Sequence, residues 1–347
     1  MEQSVTQLFA LIRSGLWKEQ PNFNLFGNDT NWNEVFQLAQ KQTVLGFVID
    51  GLSMLPIALQ PNKGMQIKAH SLQIRTTQHH HLLNDVISEL SSRLKKEGIH
   101  SVLLKGQGLA QNYPDPFKRA CGDIDLYVGN HNYKKTCQLL KQWGMLKGES
   151  EESSHHLHFF YREVPIEIHR IAGILYGLFR NKRFRKWSDT LLQGEECRSC
   201  SLGGETVYLP PIRFDAMFIF YHMYRHLITG GVGLRQLCDC VMYLHRFKDK
   251  INRNLLHEDL CRMGLMRIWK IFGCIAVHHL GLPKEEFPFY SDTAEIKELS
   301  EFLLEEVILR NGNFGHYNPD KQARPKGYLA GKLFSLRLSL IHISEPT

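Results

Sequence analysis

The 347 residues of this chain include 42 Lys and Arg and 35 Asp and Glu, so the formal net charge is +7 when the histidines are neutral. The composition, 43% hydrophobic and 22% charged, is that of a soluble globular protein and excludes a disordered, collagen-like or coiled-coil chain. Charge interrupts the longest apolar runs before the ~20 residues that a membrane span needs, and the first residues do not resemble a signal peptide. We therefore expect a cytoplasmic protein of about two domains, without membrane contact.

The first part of the sequence has helical patterns. Residues 1–68 contain short amphipathic segments, and apolar residues at three- and four-residue spacing predict a long helix over 69–96 that stops at Gly98. Three consecutive histidines, at 79–81, belong to this helix and point in different directions, so they cannot all bind one metal. We expect them on a solvated or half-buried helix surface.

The middle third changes to a pattern of strands and helices. The apolar run at 100–106 predicts a buried strand that ends in a turn, and alternation of apolar and polar residues predicts more strands. The further elements of this region are predicted, in chain order, at 107–113 (helix), 123–128 (strand), 131–143 (helix), 157–163 (strand) and 164–170 (strand).

Residues 211–310 have helical patterns again, so the sequence divides into three parts. We predict an N-terminal helical segment at 1–68, a strand-and-helix domain at 69–210 and a helical C-terminal domain at 211–337. The last residues, LSLIHISEPT at 338–347, look like the translated end of a sequencing adapter, and we expect them to be foreign to the natural protein.

A run of basic residues, NKRFRKW, occupies 181–187. Such a run can steer a phosphate-rich ligand toward a protein, but it is more often a solvated helix face. The overall positive charge is modest and does not by itself indicate a nucleic-acid partner.

Two aspartates mark the most informative segment. Asp123 and Asp125 occupy alternate positions of a predicted strand, so their side chains leave the same face. Burying two carboxylates side by side is unfavourable, because they repel each other and lose hydration, and a cation must therefore accompany them. Carboxylate oxygens suit Mg²⁺ and leave room for substrate phosphates in its octahedral shell. The pair predicts a divalent-metal site.

A third acid, Glu167, lies on a later predicted strand and can face the same way. Three carboxylates around one pocket are typical of two-metal phosphoryl or nucleotidyl transfer. In the competing interpretation, Asp123 begins a turn and Glu167 is an exposed strand residue. The glycine before Asp123 and the Lys105–Gly106 turn after the upstream strand favour the metal site.

Histidines and one charged pair are further candidates. His169 shares the face of the strand with Glu167, and we expect it to support that carboxylate by a hydrogen bond. In the helical third, His226 lies one helical turn after His222, and Arg235 lies one turn before Asp239. An exposed Arg–Asp pair at this spacing is an ordinary salt bridge worth only tenths of a kcal/mol.

Taken together, these segments resemble a known family. LLKG at 103–106, Arg119 shortly before GDIDLYV, IEIH at 166–169 and GLRQLCD at 233–239 are similar to the nucleotidyltransferase superfamily, which has a polymerase-beta-type palm. They are most similar to its bacterial branch of largely uncharacterised nucleotidyltransferases. The resemblance covers roughly residues 80–245.

The resemblance implies an α+β fold, in which a palm with a mixed β-sheet and flanking helices lies between N-terminal helices and a C-terminal helical domain. It implies that Asp123 and Asp125 hold Mg²⁺ or Mn²⁺, with Glu167 as the third carboxylate. It also implies an enzyme of the EC 2.7.7 type, which transfers a nucleoside monophosphate from an NTP such as ATP to a hydroxyl.

Further residues are expected to contact the substrates. Lys105, Gly106 and Arg119 are candidates for the donor phosphates, because glycine lets the backbone approach closely and the two side chains supply positive charge. The broader superfamily has Gly-Gly or Gly-Ser where this chain has Lys-Gly. The resemblance at 233–239 places Arg235 and Asp239 at the nucleotide or acceptor cleft, and His169 and His226 are candidate substrate contacts as well.

The acceptor stays open at this point. It is a small molecule, a sugar, an RNA or a protein, and we expect no stable complex with nucleic acid. One alternative is a catalytically silent palm that serves as a binding or scaffold protein. Another is a toxin-like transferase that modifies tRNA or a protein.

Overall fold

The described residues form a mixed β-sheet and a set of helices, which confirms the predicted α+β fold class. The computed structural model describes residues 2–146, 150–153, 155–175, 177–194, 196–229, 231–310 and 312. The adapter-like residues 338–347 lie outside the described residues. Within the described ranges, no helix is both long enough and apolar enough to cross a membrane.

The sheet of the described residues has seven strands in the order β3-β4-β5-β2-β1-β7-β6. Strand β1 pairs in parallel with β7, and β2 pairs in parallel with β5, whereas the other neighbours are antiparallel. The strands are β1 (Val102–Leu103), β2 (Ile124–Tyr127), β3 (Ser150–Glu152), β4 (His156–Tyr161), β5 (Val164–His169), β6 (Arg198–Leu202) and β7 (Glu205–Leu209).

Helices precede, interrupt and follow the strands, and a π-helical turn at Leu303–Leu309 ends the described C-terminal part. The α-helices are α1 (Gln3–Trp17), α2 (Trp32–Lys41), α3 (Leu45–Leu52), α4 (Lys63–Lys96), α5 (Gln107–Ala110), α6 (Gly129–Gln142), α7 (Leu178–Leu192), α8 (Ile212–Thr229), α9 (Leu234–Phe247), α10 (Arg253–Met263), α11 (Met266–Leu280) and α12 (Ala294–Phe302).

Two compact units divide the chain. One comprises the chain up to Gln73 together with the chain from Ala216 onward, and the other is Ile74–Asp215, which contains the whole sheet. The N-terminal and C-terminal helices thus belong to one unit. The three-part division at residues 68 and 210 stays a prediction.

The long helix α4 begins at Lys63, before the predicted start at residue 69. The expectation of a solvated or half-buried surface is wrong for His80, whose relative exposure is 1%. Its ring Nε2 lies 2.6 Å from the carbonyl oxygen of Arg119, so burial leaves no unsatisfied polar edge. Burial lowers the pKa of this imidazole, which favours its neutral form.

One face of the sheet is buried in an apolar core. Ile124 and Leu126 of β2 and Ile166 and Ile168 of β5 are each at most 1% exposed. They pack in one cluster with a leucine- and valine-rich side of α4 and with α6. Burying such a side chain contributes roughly 1.5–3 kcal/mol. Because successive strand residues face opposite ways, this core fixes the polar residues between them on the other face of the sheet.

A two-residue hairpin joins β4 to β5. Arg162 and Glu163 have φ angles of 50° and 63°, which is the left-handed pair that a type I′ turn requires. This turn sets the antiparallel register in which His156 lies opposite His169. The tight turn therefore brings a β4 histidine next to the polar face of β5.

A buried acid in the sheet unit predicts how stability depends on pH. Asp215 is 1% exposed and accepts a hydrogen bond from the guanidinium of Arg198 on β6. Burial raises the pKa of Asp215 to about 7, against the opposing attraction of the guanidinium. Between pH 4 and pH 7, the unfolded carboxyl is ionised while the folded one stays protonated, so this group's contribution to stability is lost as the pH rises.

We expect the free energy of unfolding to fall between about pH 4 and pH 7, by ~4 kcal/mol at most from this residue. Asp215→Asn should remove this part of the pH dependence. Urea unfolding of both proteins at pH 5 and pH 8 measures the difference. Parallel pH dependences would show that Asp215 has an ordinary pKa.

Candidate active site

Asp125 and Glu167 face each other across neighbouring strands. The parallel register of β2 and β5 pairs Asp125 with Glu167 directly, so the two side chains leave the same face of the sheet. Asp125 is 1% exposed, whereas the side chain of Glu167 is 26% exposed. One carboxylate is therefore inside the protein and the other lies at its edge, toward solvent.

Two basic groups hold the buried carboxylate through one oxygen. The Lys105 Nζ lies 2.8 Å from Asp125 Oδ1, and the His169 Nε2 lies 2.9 Å from the same oxygen. The other oxygen, Oδ2, is buried and has no hydrogen-bond partner among the described residues. A buried carboxylate oxygen without a partner is costly, so it points to a missing cationic or donor ligand.

His169 links the two acids, and a second histidine stands behind it. Its Nε2 lies 3.1 Å from Glu167 Oε2, which leaves it between both carboxylates. The His156 Nε2 lies 3.9 Å from Glu167 Oε1, and the His156 and His169 rings are 5.3 Å apart. The sequence analysis missed His156. The signal was available in the β4–β5 hairpin, whose register sets His156 opposite His169.

Mutual attraction keeps these groups ionised. Burial opposes the charge on Asp125, but the Lys105 ammonium and the hydrogen bond from His169 hold its pKa well below the usual range. Burial also opposes the charge on Lys105, whose pKa is nevertheless raised by the surrounding carboxylates, Asp125 above all. Burial opposes the charge on His169 too, and its bonds to both acids raise its pKa. Burial and the repulsion from Asp125 oppose the charge on Glu167, but the hydrogen bond and charge of His169, together with the charge of Lys105, lower its pKa.

The Lys105–Gly106 turn fixes Lys105 beside the acids. Gly106 has φ 55° and ψ −116°, a conformation that residues with a Cβ atom rarely adopt, and it is the N-cap residue of α5. A Cβ atom there would lie 3.1 Å from the carbonyl oxygen of Asp123. The next residue, Gln107, donates to the Asn84 side chain at 2.7 Å and so anchors the turn to α4.

Replacing Gly106 by Ala tests whether this turn matters for the site. The positive φ and the close Asp123 carbonyl predict a loss of roughly 1–3 kcal/mol of stability. Because the turn carries Lys105, we also expect a reduced affinity for NTP. Gly64→Ala is the matched control, since it lies outside the predicted site, a Cβ atom there meets its nearest neighbour at 3.4 Å, and its φ is not positive. Thermal unfolding and NTP titration of the two variants measure the effects, and equal behaviour would contradict the prediction.

The sequence model of a family described as uncharacterised nucleotidyltransferase matches residues 28–281. This chain belongs to that family. Among solved structures, it is similar to an antigenic nucleotidyltransferase-like protein from Paracoccidioides brasiliensis, with 17% identity and a TM-score of 0.35 over 52% of this chain and 86% of that one. No curated protein matches the chain.

Nucleotidyltransferases generally use divalent metals, and the residues of this family member fit such an ion. His156, Glu167 and His169 offer ligand atoms that all lie within 4.8 Å of one another. The unpartnered Oδ2 of Asp125 lies on the same face of the sheet. Mixed carboxylate and imidazole donors suit Mn²⁺ as well as or better than Mg²⁺, which prefers oxygen ligands alone.

The structure brings only some of the predicted site residues together. Asp123 is exposed just before β2, and its charge helps to raise the pKa of Lys105. Arg119 is buried, with its Nη1 2.9 Å from the sulfur of Cys121. Their assigned roles at the metal and at the phosphates stay predictions.

The predicted contacts from the helical third lie in the other compact unit. His226 Nε2 is 3.0 Å from His222 Nε2 on α8. Arg235 and Asp239 lie one turn apart on α9, and Asp239 is buried. Their roles at a cleft stay predictions.

Proposed function

We propose that this protein is a metal-dependent nucleotidyltransferase that moves a nucleoside monophosphate from an NTP to a hydroxyl group. The observation that carries the proposal is the register pair of Asp125 and Glu167, with the buried Asp125 held between Lys105 and His169. Membership of the nucleotidyltransferase family supports the same chemistry. Burying a carboxylate costs free energy, so a buried acid on the polar face of the sheet indicates a functional role.

In the proposed reaction, a hydroxyl oxygen of the acceptor attacks the α-phosphorus of the NTP. The bond from that phosphorus to the oxygen that bridges to the β-phosphate breaks, pyrophosphate leaves, and the hydroxyl proton goes to solvent. Catalysis of this kind consists mainly of positioning and charge stabilisation. Lys105 supplies a fixed positive charge beside the donor phosphates, and Gly106 lets the backbone approach them.

Asp123, Asp125 and Glu167 would hold the metal, with His169 as a positioning residue that orients both acids of the register pair. When bound, a divalent cation neutralises the phosphates and lowers the pKa of the attacking hydroxyl. His169 sets the orientation of Asp125 and Glu167 through hydrogen bonds of 2.9 and 3.1 Å. Because imidazoles stand next to these acids, we expect Mn²⁺ to support the reaction at least as well as Mg²⁺.

Incubation with each NTP and either cation tests the proposal. Mass spectrometry should find an adduct of one nucleoside monophosphate on a candidate acceptor or on the protein itself, together with pyrophosphate. The catalytically silent palm predicts NTP or metal binding without any adduct. Absence of an adduct with every donor, cation and acceptor class would favour that alternative and overturn the transferase.

A further inference from the structure

Helix α7 presents a row of basic side chains to solvent. Among its fifteen residues, five cationic side chains are exposed: Arg180, Lys182, Arg183, Arg185 and Lys186. At 100° per residue, Lys182, Arg183, Arg185 and Lys186 lie within about half of the helix circumference. We call these five side chains the α7 basic face.

The charges of the α7 basic face have no partners among the residues that the structure describes. None of the five forms a hydrogen bond or an ion pair with another residue in the part of the chain that the structure describes. Two arginines on other helices are paired, by contrast: Arg93 contacts Glu89 at 2.7 Å, and Arg267 contacts Glu295 at 2.6 Å. Five like charges on one short helix repel one another, so a polyanion would relieve an unfavourable arrangement.

The opposite side of α7 packs against the rest of the sheet unit. Phe184 and Leu192 are fully buried, and Trp187 stacks on Phe214 at 5.1 Å. Near the end of the helix, Asp189 accepts a 2.9 Å hydrogen bond from the hydroxyl of Tyr127, which lies two residues after Asp125 on β2. The α7 basic face is therefore rigidly attached to the strand that carries the candidate active site.

Two apolar side chains stand at the start of the same helix. Leu178 is 87% exposed and Phe179 is 81% exposed. Exposed aromatic rings beside cations are the usual platform on which the bases of single-stranded nucleic acids stack. A membrane surface fits less well, because an interfacial helix needs a free apolar face and that of α7 is buried in the protein. An acidic protein would match the charges but has no need of the aromatic ring.

We infer that the α7 basic face and Phe179 dock single-stranded RNA, and that RNA is the acceptor class of the proposed transfer reaction. The inference rests on the proposed function for its place in the reaction, but the docking surface can be tested without it. Contacts through phosphates are sequence-independent and weaken with salt. A transient complex of this kind agrees with the expectation that no stable nucleic-acid complex forms.

The test is binding of a fluorescent single-stranded RNA of about 20 nucleotides, measured by anisotropy at several salt concentrations without NTP. The triple variant Lys182→Gln, Arg183→Gln and Lys186→Gln should bind about 10- to 100-fold more weakly. The slope of log affinity against log salt should also become less steep by about 2, because three phosphate contacts are lost. All three side chains point to solvent, so the fold should be unaffected.

A control with the same charge change is Lys96→Gln, Lys134→Gln and Lys141→Gln, which are exposed lysines of α4 and α6 in the same unit. It should bind RNA like the wild type. Phe179→Ala should weaken RNA binding about 10-fold and leave inorganic polyphosphate binding unchanged, because only bases stack. Equal losses in both triple variants would reduce the effect to net charge and overturn the proposal.

The same proteins should be mixed with phosphatidylserine vesicles and with polyglutamate. Binding to the vesicles or to polyglutamate that is stronger than binding to RNA, and that the α7 triple variant weakens, would overturn the assignment. The partner of the α7 basic face would then be a membrane or an acidic protein. Because NTP is absent throughout, these results do not depend on transfer. Labelling of RNA by an α-labelled NTP then tests the acceptor: label on RNA supports it, and label only on another acceptor refutes it.

Discussion

Replacing Asp125 by Asn should reduce nucleotidyl transfer about a thousand-fold. The change keeps the size of the side chain and removes its negative charge, which faces Lys105 at 2.8 Å and His169 at 2.9 Å. The partnerless Oδ2 loses its affinity for a cation, and Lys105 is left buried without its main counter-charge. Removing one group that stabilises charge in a transition state costs on the order of 10²–10³ in rate, and a charged metal ligand costs at least as much.

Two measurements separate loss of chemistry from loss of fold. Mn²⁺ binding, followed by electron paramagnetic resonance or calorimetry, should weaken strongly in Asp125→Asn, and so should pyrophosphate release. Thermal unfolding should shift moderately, because a buried cation has lost its partner. Asp189→Asn is the matched control: this carboxylate lies in the same unit and bonds to Tyr127 at 2.9 Å, outside the register pair.

Glu167→Gln should give a smaller loss of metal affinity, because its side chain is partly exposed to water that can replace it. Full transfer activity of Asp125→Asn, with unchanged Mn²⁺ affinity, would remove these acids from the active site. The role of the register pair would then be structural.

The polar face of the sheet illustrates what periodicity can predict. Alternation of Ile with an acid in both strands predicts that Asp125 and Glu167 each point away from an apolar core. The sequence does not state that β2 and β5 are neighbours, or that they pair in parallel with these two residues opposite each other. That pairing depends on contacts between residues distant in the chain, which local patterns do not encode. The resemblance to the family implied that the acids share one metal site, but it gave neither the strand order nor the register.

The position of His156 beside the acids and the burial of His80 were not predicted, for a related reason. Each is a histidine in a local histidine-rich run, which by itself indicates a surface. The β4–β5 register sets His156 beside the acids, and a single carbonyl acceptor allows His80 to be buried. The hairpin of β6 and β7 was also missed, because its strands are short and carry many polar residues. Tertiary partners decide such cases, and they are invisible in a local window.

Which helices belong to the helical unit could not be predicted from the order of the elements along the chain either. Helices at the start of the chain join helices more than 200 residues later: the Trp17 indole donates to the Leu280 carbonyl at 2.6 Å, and the Gln42 amide donates to the Ile308 carbonyl at 2.9 Å. A three-part division by sequence separates these partners. Only the long-range hydrogen bonds reveal that they belong together.

The backbones of helices α1 and α3 approach each other closely, and this contact depends on two glycines. A Cβ atom at Gly15 would lie 2.0 Å from the Phe47 carbonyl oxygen, and one at Gly51 would lie 2.2 Å from the Leu11 carbonyl oxygen. The contact is reciprocal, since each helix offers a glycine to the backbone of the other. Neither backbone can give way cheaply, because both carbonyls belong to regular helices packed in the core.

We therefore expect Gly51→Ala to lower the free energy of unfolding by about 2–4 kcal/mol, and Gly15→Ala to do the same. Alanine normally stabilises a helix relative to glycine by roughly 0.5–1 kcal/mol, so the sign of the effect reports the clash. Gly64→Ala is the matched control, because a Cβ atom at this helical position meets its nearest neighbour at 3.4 Å. It should be neutral or slightly stabilising in urea unfolding followed by circular dichroism. If Gly51→Ala and Gly64→Ala shift the midpoint equally, the two helices are further apart than this contact requires.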